Sequence, residues 1–376
     1  MSERFHELDP DGDVFLVLHD PQEGFALWDD SQEHLPPVPP SPVLEHRVSQ
    51  PESVRLDSPD YRDQPISAEE SNAREQTITL PRDESPSFAE EVLMPLAEKG
   101  EIQIRVSSNH LALASTYFER MLRGNWKEGH ALRSDGHVGL DVGEWDHEAF
   151  LILMNVIHGR TRAVPQSISL ELLAKIAVLV DYYKCEEVIR VFLEMWISQL
   201  KENLPETYSR DLILWICISW VFRLSKQFTI ATNIALQQSR GPIQTLGLPI
   251  PARVAEIIDQ QRQESIDRIV EALHNLFIYF SHQNMCSPEC SSMLLGAFTK
   301  EMDSRSLSSP RPKKPFLGIS FAETARSIRD MQLPVWCYHR PQRYSCSFDP
   351  RIFPIVGSRS MKGPKGLTLD LSLVED

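Results

Sequence analysis

The clearest pattern of hydrophobic and polar positions lies in Glu101–Trp126. Ile102, Ile104 and Val106 alternate with polar residues, which predicts a strand with one buried face. Gly12–Leu18 is rich in β-branched and aromatic residues and predicts an earlier strand. These two segments are the expected β-structure around which the first half of the chain folds.

Two short helices are predicted directly after the second of these strands. Ser107 and Ser108 offer side-chain oxygens to the free N–H groups of a first helix, and Ser115 does so for a second. Gly124 predicts the end of the second helix in a left-handed conformation. Three residues at i, i+3 and i+4 give that helix one apolar face: Phe118, Met121 and Leu122.

Further elements follow in the same half of the chain. His137–Val142 predicts a short strand, and Asp146 caps a helix that is apolar on most sides. Ser169 caps the next helix. Upstream, Phe25–Trp28 predicts a second short strand after the first one.

The second half of the chain reads as helical. Ser209 caps one predicted helix, and Pro251 opens a long one with an apolar stripe that continues to Ser281. Residues 201–300 are therefore predicted to form a helical extension. Residues 301–376 are expected to be mostly irregular, with one weak helix near Phe321–Met331.

Residues 29–98 differ from both halves in composition. They hold 16 acidic residues against 5 arginines, are punctuated by prolines, and show no persistent hydrophobic period. Such a segment buries too little apolar area to offset the entropy of ordering its backbone, so it is predicted to be a disordered insertion. The fold would then be interrupted between 1–28 and 99–200.

Composition excludes several classes of function. With a net charge of −15 the chain repels phosphate backbones and anionic lipid, so neither nucleic acid nor membrane is an expected partner. Six cysteines in 376 residues indicate reduced thiols and a cytoplasmic or nuclear location. The N-terminus lacks the apolar core of a secretory signal.

The order of these elements, together with several motifs, resembles a BTB (POZ) domain, a protein-interaction fold. The family's Leu-x(3)-Ser-x-x-Phe run is matched here by Leu111, Ser115 and Phe118. Asp13 and Val14 match a pair in the family's first strand. Residues 179–196 resemble the family's paired closing helices, with Asp181 and Tyr183 at the motif positions. The chain departs from the family at Ser107, where a histidine is usual, and at His158, which replaces an aromatic residue. Its length and helical second half are similar to fungal BTB proteins with a C-terminal helical extension.

The resemblance implies an α+β BTB/POZ fold and a non-catalytic role in self-association or partner binding. In the family the dimer surface uses the first strand and first helix, which gives Val14, Phe15, Leu16 and Leu111 as candidates here. The alternative is that these four residues belong to the core. Members that recruit cullin ubiquitin ligases carry a hydrophobic-x-acidic triplet after the second short helix. Trp126-Lys127-Glu128 matches that triplet, so the alternative function is a substrate adaptor for a cullin.

Signals for catalysis are absent from the sequence. We find no phosphate-binding glycine loop, no His-Glu-x-x-His and no Gly-x-Ser-x-Gly, and we expect neither enzymatic activity nor a cofactor. The one metal-like group is Cys286 and Cys290 with Cys337, His339 and Cys346 downstream, a set of soft ligands that would suit zinc. Unligated reduced thiols are the favoured alternative to this zinc-dependent regulatory role.

Overall fold

The computed structural model describes residues 4–19, 24–29, 101–282, 287–331 and 363–369, and within them the chain is a mixed α+β protein. The strands are β1 (Phe5–Glu7), β2 (Val14–His19), β3 (Glu101–Val106) and β4 (Val138–Glu144). The helices of the first half are α1 (Ser108–Ala114), α2 (Thr116–Arg123), α3 (Lys127–Asp135), α4 (His147–Ile157), α5 (Leu170–Tyr183) and α6 (Arg190–Leu200). Those of the second half are α7 (Arg210–Val221), α8 (Ser225–Gln238), α9 (Ala252–His282), α10 (Pro288–Ser304) and α11 (Phe321–Arg329).

The strands form one sheet in the order β1-β3-β2-β4. β2 and β3 are antiparallel, with Leu16 opposite Ile104, and β4 runs parallel to β2, with Val14 opposite Val138. This arrangement confirms the strands predicted at Gly12–Leu18 and His137–Val142. The three-residue strand β1, which pairs in parallel with β3, was not predicted because it is too short to show a period.

The two short helices after β3 form where predicted, but they begin and end differently. Ser115 caps α2 by accepting from the Phe118 amide, as expected. The start of α1 is held instead by Asp13, which accepts from the Ser108 amide and hydroxyl at 2.7 Å each. The left-handed ending expected at Gly124 was wrong, since its φ is −74°. Glycine is required there by a close approach, because a Cβ would lie 2.2 Å from the Arg120 carbonyl oxygen.

Helix α4 lies at the centre of the first hydrophobic core. Asp146 caps it as predicted, and eight of its eleven residues are buried. The core extends from the sheet through α5 and α6 to α7, α8 and the start of α9. Burying each large apolar side chain contributes roughly 1.5–3 kcal/mol, so this core supplies most of the stability of the sheet and its covering helices.

The segment Phe25–Trp28 does not form the predicted strand. Ala26 has a φ of +49°, which turns the chain, and the carbonyl oxygens of Phe25 and Ala26 both accept from Arg210. The Trp28 ring packs on Tyr208, with their centroids 5.5 Å apart. Arg210, at the start of α7, thus binds the carbonyl oxygens that a strand would use to pair with a neighbouring strand.

A second hydrophobic core surrounds the C-terminal part of α9. It joins α9 to α10 and α11. The segment between α10 and α11 also belongs to it, since Leu307 and Phe316 are buried there. The short helix expected near Phe321–Met331 is confirmed as α11. The remainder of 305–331, expected to be irregular, has no other helix but packs on this core.

Two expectations concern membrane contact and the insertion. Among the helices that the structure describes, none is both long enough and apolar enough to cross a bilayer. The disorder predicted for 29–98 concerns residues that, apart from Asp29, lie outside the described part of the chain.

Candidate interaction site

The corner between α2 and α3 is fixed by two glycines. A Cβ on Gly129 would lie 2.7 Å from the carbonyl oxygen of Leu122 and 2.9 Å from that of Gly124. Glycine at this position lets the start of α3 pack directly on the end of α2. Arg133 of α3 also donates to the Gly124 carbonyl oxygen at 3.3 Å. The triplet 126–128 therefore lies at a backbone corner where contacts between α2 and α3 fix the path of the chain.

Trp126 projects from this corner into solvent. It is the N-cap residue of α3, and 64% of its surface is exposed. Lys127 is exposed as well, whereas Glu128 is half-buried in the first turn of α3. An exposed tryptophan on a fixed backbone can bury a large apolar area against a partner at little cost in conformational entropy.

Glu128 also lines a groove of about 360 Å³ between α2, α3, β4 and α5. Its wall residues include Tyr117, Met121, Glu128, Asp141, Gly143 and Tyr182. The groove joins apolar and aromatic surface to two carboxylates, which is the composition of a site for a peptide with one apolar and one donor group. Sequence reasoning identified the triplet but missed the groove, because Tyr182 and Asp141 reach it from distant parts of the chain.

An aromatic cluster supports the floor of the groove. Tyr183 is its centre and stacks on Phe118 with ring centroids 4.8 Å apart and an interplanar angle of 8°. The Tyr183 hydroxyl accepts from the Trp145 indole N–H at 3.1 Å. Burial is the main cause that raises the pKa of this hydroxyl, so it stays protonated. The buried centre of the floor is consequently uncharged.

Tyr117 and Tyr182 form the exposed edge of the cluster, with ring centroids 5.4 Å apart. The pKa of Tyr117 is raised to about 12 by partial burial, by a hydrogen bond with Tyr182 and by the negative charge of Glu128. The Tyr117 hydroxyl therefore stays protonated across the physiological range. Tyr182 is 48% exposed and is the aromatic side chain most open to a ligand at this edge.

The candidates for a dimer surface lie mostly in the core. Val14, Leu16 and Leu111 are wholly buried, so none of them can contact a partner in this conformation. Phe15 is half-buried, with the Arg105 guanidinium 5.7 Å above its ring. The apolar residue that α1 does expose is Leu113, at 85%. Its position two residues after the buried Leu111 was the signal that could have identified it, because such residues lie on different faces of a helix.

The cysteines give no metal centre in the described residues. Cys290 is buried and free on α10, while Cys286, Cys337, His339 and Cys346 lie outside the part of the chain that the structure describes. Within the described ranges, His, Cys, Asp and Glu side chains nowhere gather in a group of three or more suited to a metal ion. The zinc hypothesis therefore stays a prediction.

No protein-family model matches the chain, and no curated protein matches it.

Proposed function

We propose that the chain is a non-catalytic protein-interaction protein built on a BTB/POZ module formed by 1–28 and 99–200. The order of its elements supports this assignment: an antiparallel β2–β3 pair, the short helices α1 and α2, and β4 parallel to β2, followed by α4 and α5. The motif residues have structural roles that fit such a module. Asp13 holds the start of α1, and Ser115 caps α2.

The binding surface of the proposal is the Trp126–Glu128 triplet together with the groove beside Glu128. The observation that carries it is the 64% exposure of Trp126 on a corner fixed by Gly124 and Gly129. Tryptophan is among the residues that contribute most to interfaces, often 2 kcal/mol or more on truncation. A protein segment with an apolar side chain for Trp126 and a donor for Glu128 fits this surface.

A substrate adaptor for a cullin is the more specific form of the same proposal. It is favoured by the position of the hydrophobic-x-acidic triplet, which starts α3 directly after the second short helix. In this form of the proposal the cullin binds the Trp126–Glu128 triplet and the groove beside Glu128. The helices from 201 onward bind the substrate.

The test is a titration of the purified full chain with a purified cullin N-terminal domain. Trp126→Ala plus Glu128→Ala should weaken binding at least tenfold, while Tyr279→Ala, an aromatic residue of α9 that is 45% exposed, should leave it unchanged. Wild-type protein that fails to bind would end the cullin form of the proposal. It would leave the wider interaction role to be tested by cross-linking at position 126.

Self-association is supported by one observation, the exposure of Leu113 on α1. A two-fold contact through α1 would cover this leucine with its copy on a second chain. Light scattering at protein concentrations near 100 μM should then give a dimer mass, and Leu113→Glu should reduce it to that of a monomer. A strict monomer at every concentration would contradict self-association.

A further inference from the structure

A short segment near the C-terminus lies along helix α8. The two backbone groups of Leu367 are both paired with threonine hydroxyls of that helix. Its carbonyl oxygen accepts from Thr229 Oγ1 at 2.8 Å, and its amide donates to Thr232 Oγ1 at 2.9 Å. Helix α8 thus offers side chains that bind peptide backbone, as the edge of a sheet does with its own backbone.

The fit requires glycine immediately before this leucine. A Cβ on Gly366 would lie 1.8 Å from the Thr229 carbonyl oxygen, so no other residue can approach the helix so closely. Gly363 lies farther along the same face, where a Cβ would be 3.1 Å from Gln237 Nε2. Thr229, Asn233 and Gln237 follow at i, i+4 and i+8, and the segment runs against the direction of α8.

Side-chain burial in the segment adds a second element of selectivity. Leu367 is 7% exposed within the first core, and Leu369 packs against that core as well. Lys365 and Thr368 are exposed, so the identity of these two side chains does not determine the fit to α8. The pattern recognised by the helix face is therefore Gly-Leu-x-Leu in a segment that is neither helix nor strand.

We propose that this face of α8 is a peptide-binding groove for Gly-Leu-x-Leu segments, and that residues 363–369 of the chain occupy it as a tethered, displaceable ligand. This proposal does not depend on the BTB assignment, because α8 lies outside residues 1–200. The groove residues are Thr229, Thr232, Asn233 and Gln237, and the ligand residues are Gly366, Leu367 and Leu369.

The surroundings of the segment favour exchange over permanent burial. A cavity of about 550 Å³ separates Gly363, Pro364 and Lys365 from Gln261, Glu264 and Arg268 of α9, so this side of the segment is open. A tethered ligand has an effective concentration of about 1 mM, so a segment with a Kd on the order of 100 μM would still be about 90% bound. Weak contacts are therefore sufficient to keep the groove filled until a competing peptide arrives.

The test uses the full chain and a fluorescent peptide with the sequence of residues 361–371. In the Gly366→Ala chain the added methyl group clashes with Thr229, so the tethered segment should leave and the wild-type peptide should bind in a fluorescence anisotropy titration. The wild-type chain and the matched variant Thr368→Ala, which changes an exposed side chain, should bind the peptide at least tenfold more weakly. A peptide that carries Gly366→Ala should not bind any of the three chains.

A second substitution identifies the groove. Thr229→Val in the Gly366→Ala chain removes one hydroxyl donor and should weaken peptide binding about fivefold, the loss of one neutral hydrogen bond. Peptide binding that is absent in a folded Gly366→Ala chain would overturn the proposal. A Gly366→Ala chain that fails to fold would also overturn it, because the segment would then be part of the fold. If the wild-type chain forms dimers and Gly366→Ala abolishes them, the segment occupies the groove of a second copy. That result would overturn occupancy of the groove by the segment of the same chain.

Discussion

The Ser115 hydroxyl donates to the carbonyl oxygen of Tyr183 at 2.5 Å while it accepts from the Phe118 amide at 3.1 Å. One side chain therefore caps α2 and binds the end of α5, although the two residues are 68 positions apart. Ser115 is 1% exposed, so water cannot replace either bond. The short helices and the closing helices are joined at this point beneath the candidate groove.

Ser115→Ala should lower the free energy of unfolding by about 2 kcal/mol, because it removes an N-cap and leaves a buried carbonyl oxygen without its donor. Urea unfolding monitored by circular dichroism measures the change. Ser198→Ala, which removes an exposed hydroxyl from α6, is the matched control and should cost less than about 0.5 kcal/mol. A loss as small as the control's would show that Ser115 is not a structural link.

His158 is held in its neutral form by the ends of two elements. Its Nδ1–H donates to the Met154 carbonyl oxygen at 2.8 Å, and its Nε2 accepts from the Ser107 amide at 3.0 Å. Burial lowers the pKa of this histidine, and the nearby charges of His110 and Arg160 lower it further, while Met154 and Asp9 oppose them. Protonation of Nε2 would break the bond to Ser107.

The folded protein should lose stability as the pH falls below about 6.5, the usual pKa of histidine, because the unfolded chain takes up the proton first. His158→Phe leaves the Ser107 amide unpaired and should reduce stability at pH 7.5, but it should also flatten this acid-side decline. Urea unfolding between pH 5.5 and 8 compares the two slopes. Equal slopes in wild type and variant would contradict the role assigned to His158.

Arg262 joins α9 to the loop before α11 and is 0% exposed. Its guanidinium donates twice to Asp259 and once each to the carbonyl oxygens of Pro315, Phe316 and Ile319. Arg262→Ala should destabilise the protein by about 3–5 kcal/mol, since it removes the buried guanidinium that donates to one oxygen of Asp259 and to three carbonyl oxygens. Arg262→Lys should restore little of this loss, because an ammonium group lacks the planar fork.

Urea unfolding measures both Arg262 variants. Arg253→Ala, which breaks an exposed 3.5 Å ion pair with Glu256, is the control and should change stability by less than about 0.5 kcal/mol. An Arg262→Ala protein as stable as the control variant would show that the loop does not need this anchor.

Local sequence signals were sufficient for the caps of four helices and for three of the four described strands. Ser115, Asp146, Ser169 and Ser209 each accept from a backbone amide at the predicted helix start. These caps are visible in the sequence because donor and acceptor lie three residues apart. The β-branched and aromatic composition of β2 and the alternation in β3 were equally local signals.

Features that depend on contacts between distant residues could not be predicted from local sequence signals. The strand predicted at Phe25–Trp28 was wrong because Arg210, far along the chain, takes up its carbonyl oxygens. The candidate groove depends on Tyr182 and Asp141 meeting beside Glu128, and the α8 groove on Leu367 meeting Thr229. The spacing of residues within a single helix or strand does not predict such contacts between elements.

The central claim is that the Trp126 corner is a protein-binding surface, and site-specific photo-cross-linking in cells tests it most directly. A photoreactive phenylalanine analogue in place of Trp126 should give a small set of cross-linked proteins. The same analogue in place of Tyr279 should not give these proteins, and Glu128→Ala should weaken their yield. Cross-links at position 126 that are absent, or identical to those at position 279, would contradict the claim.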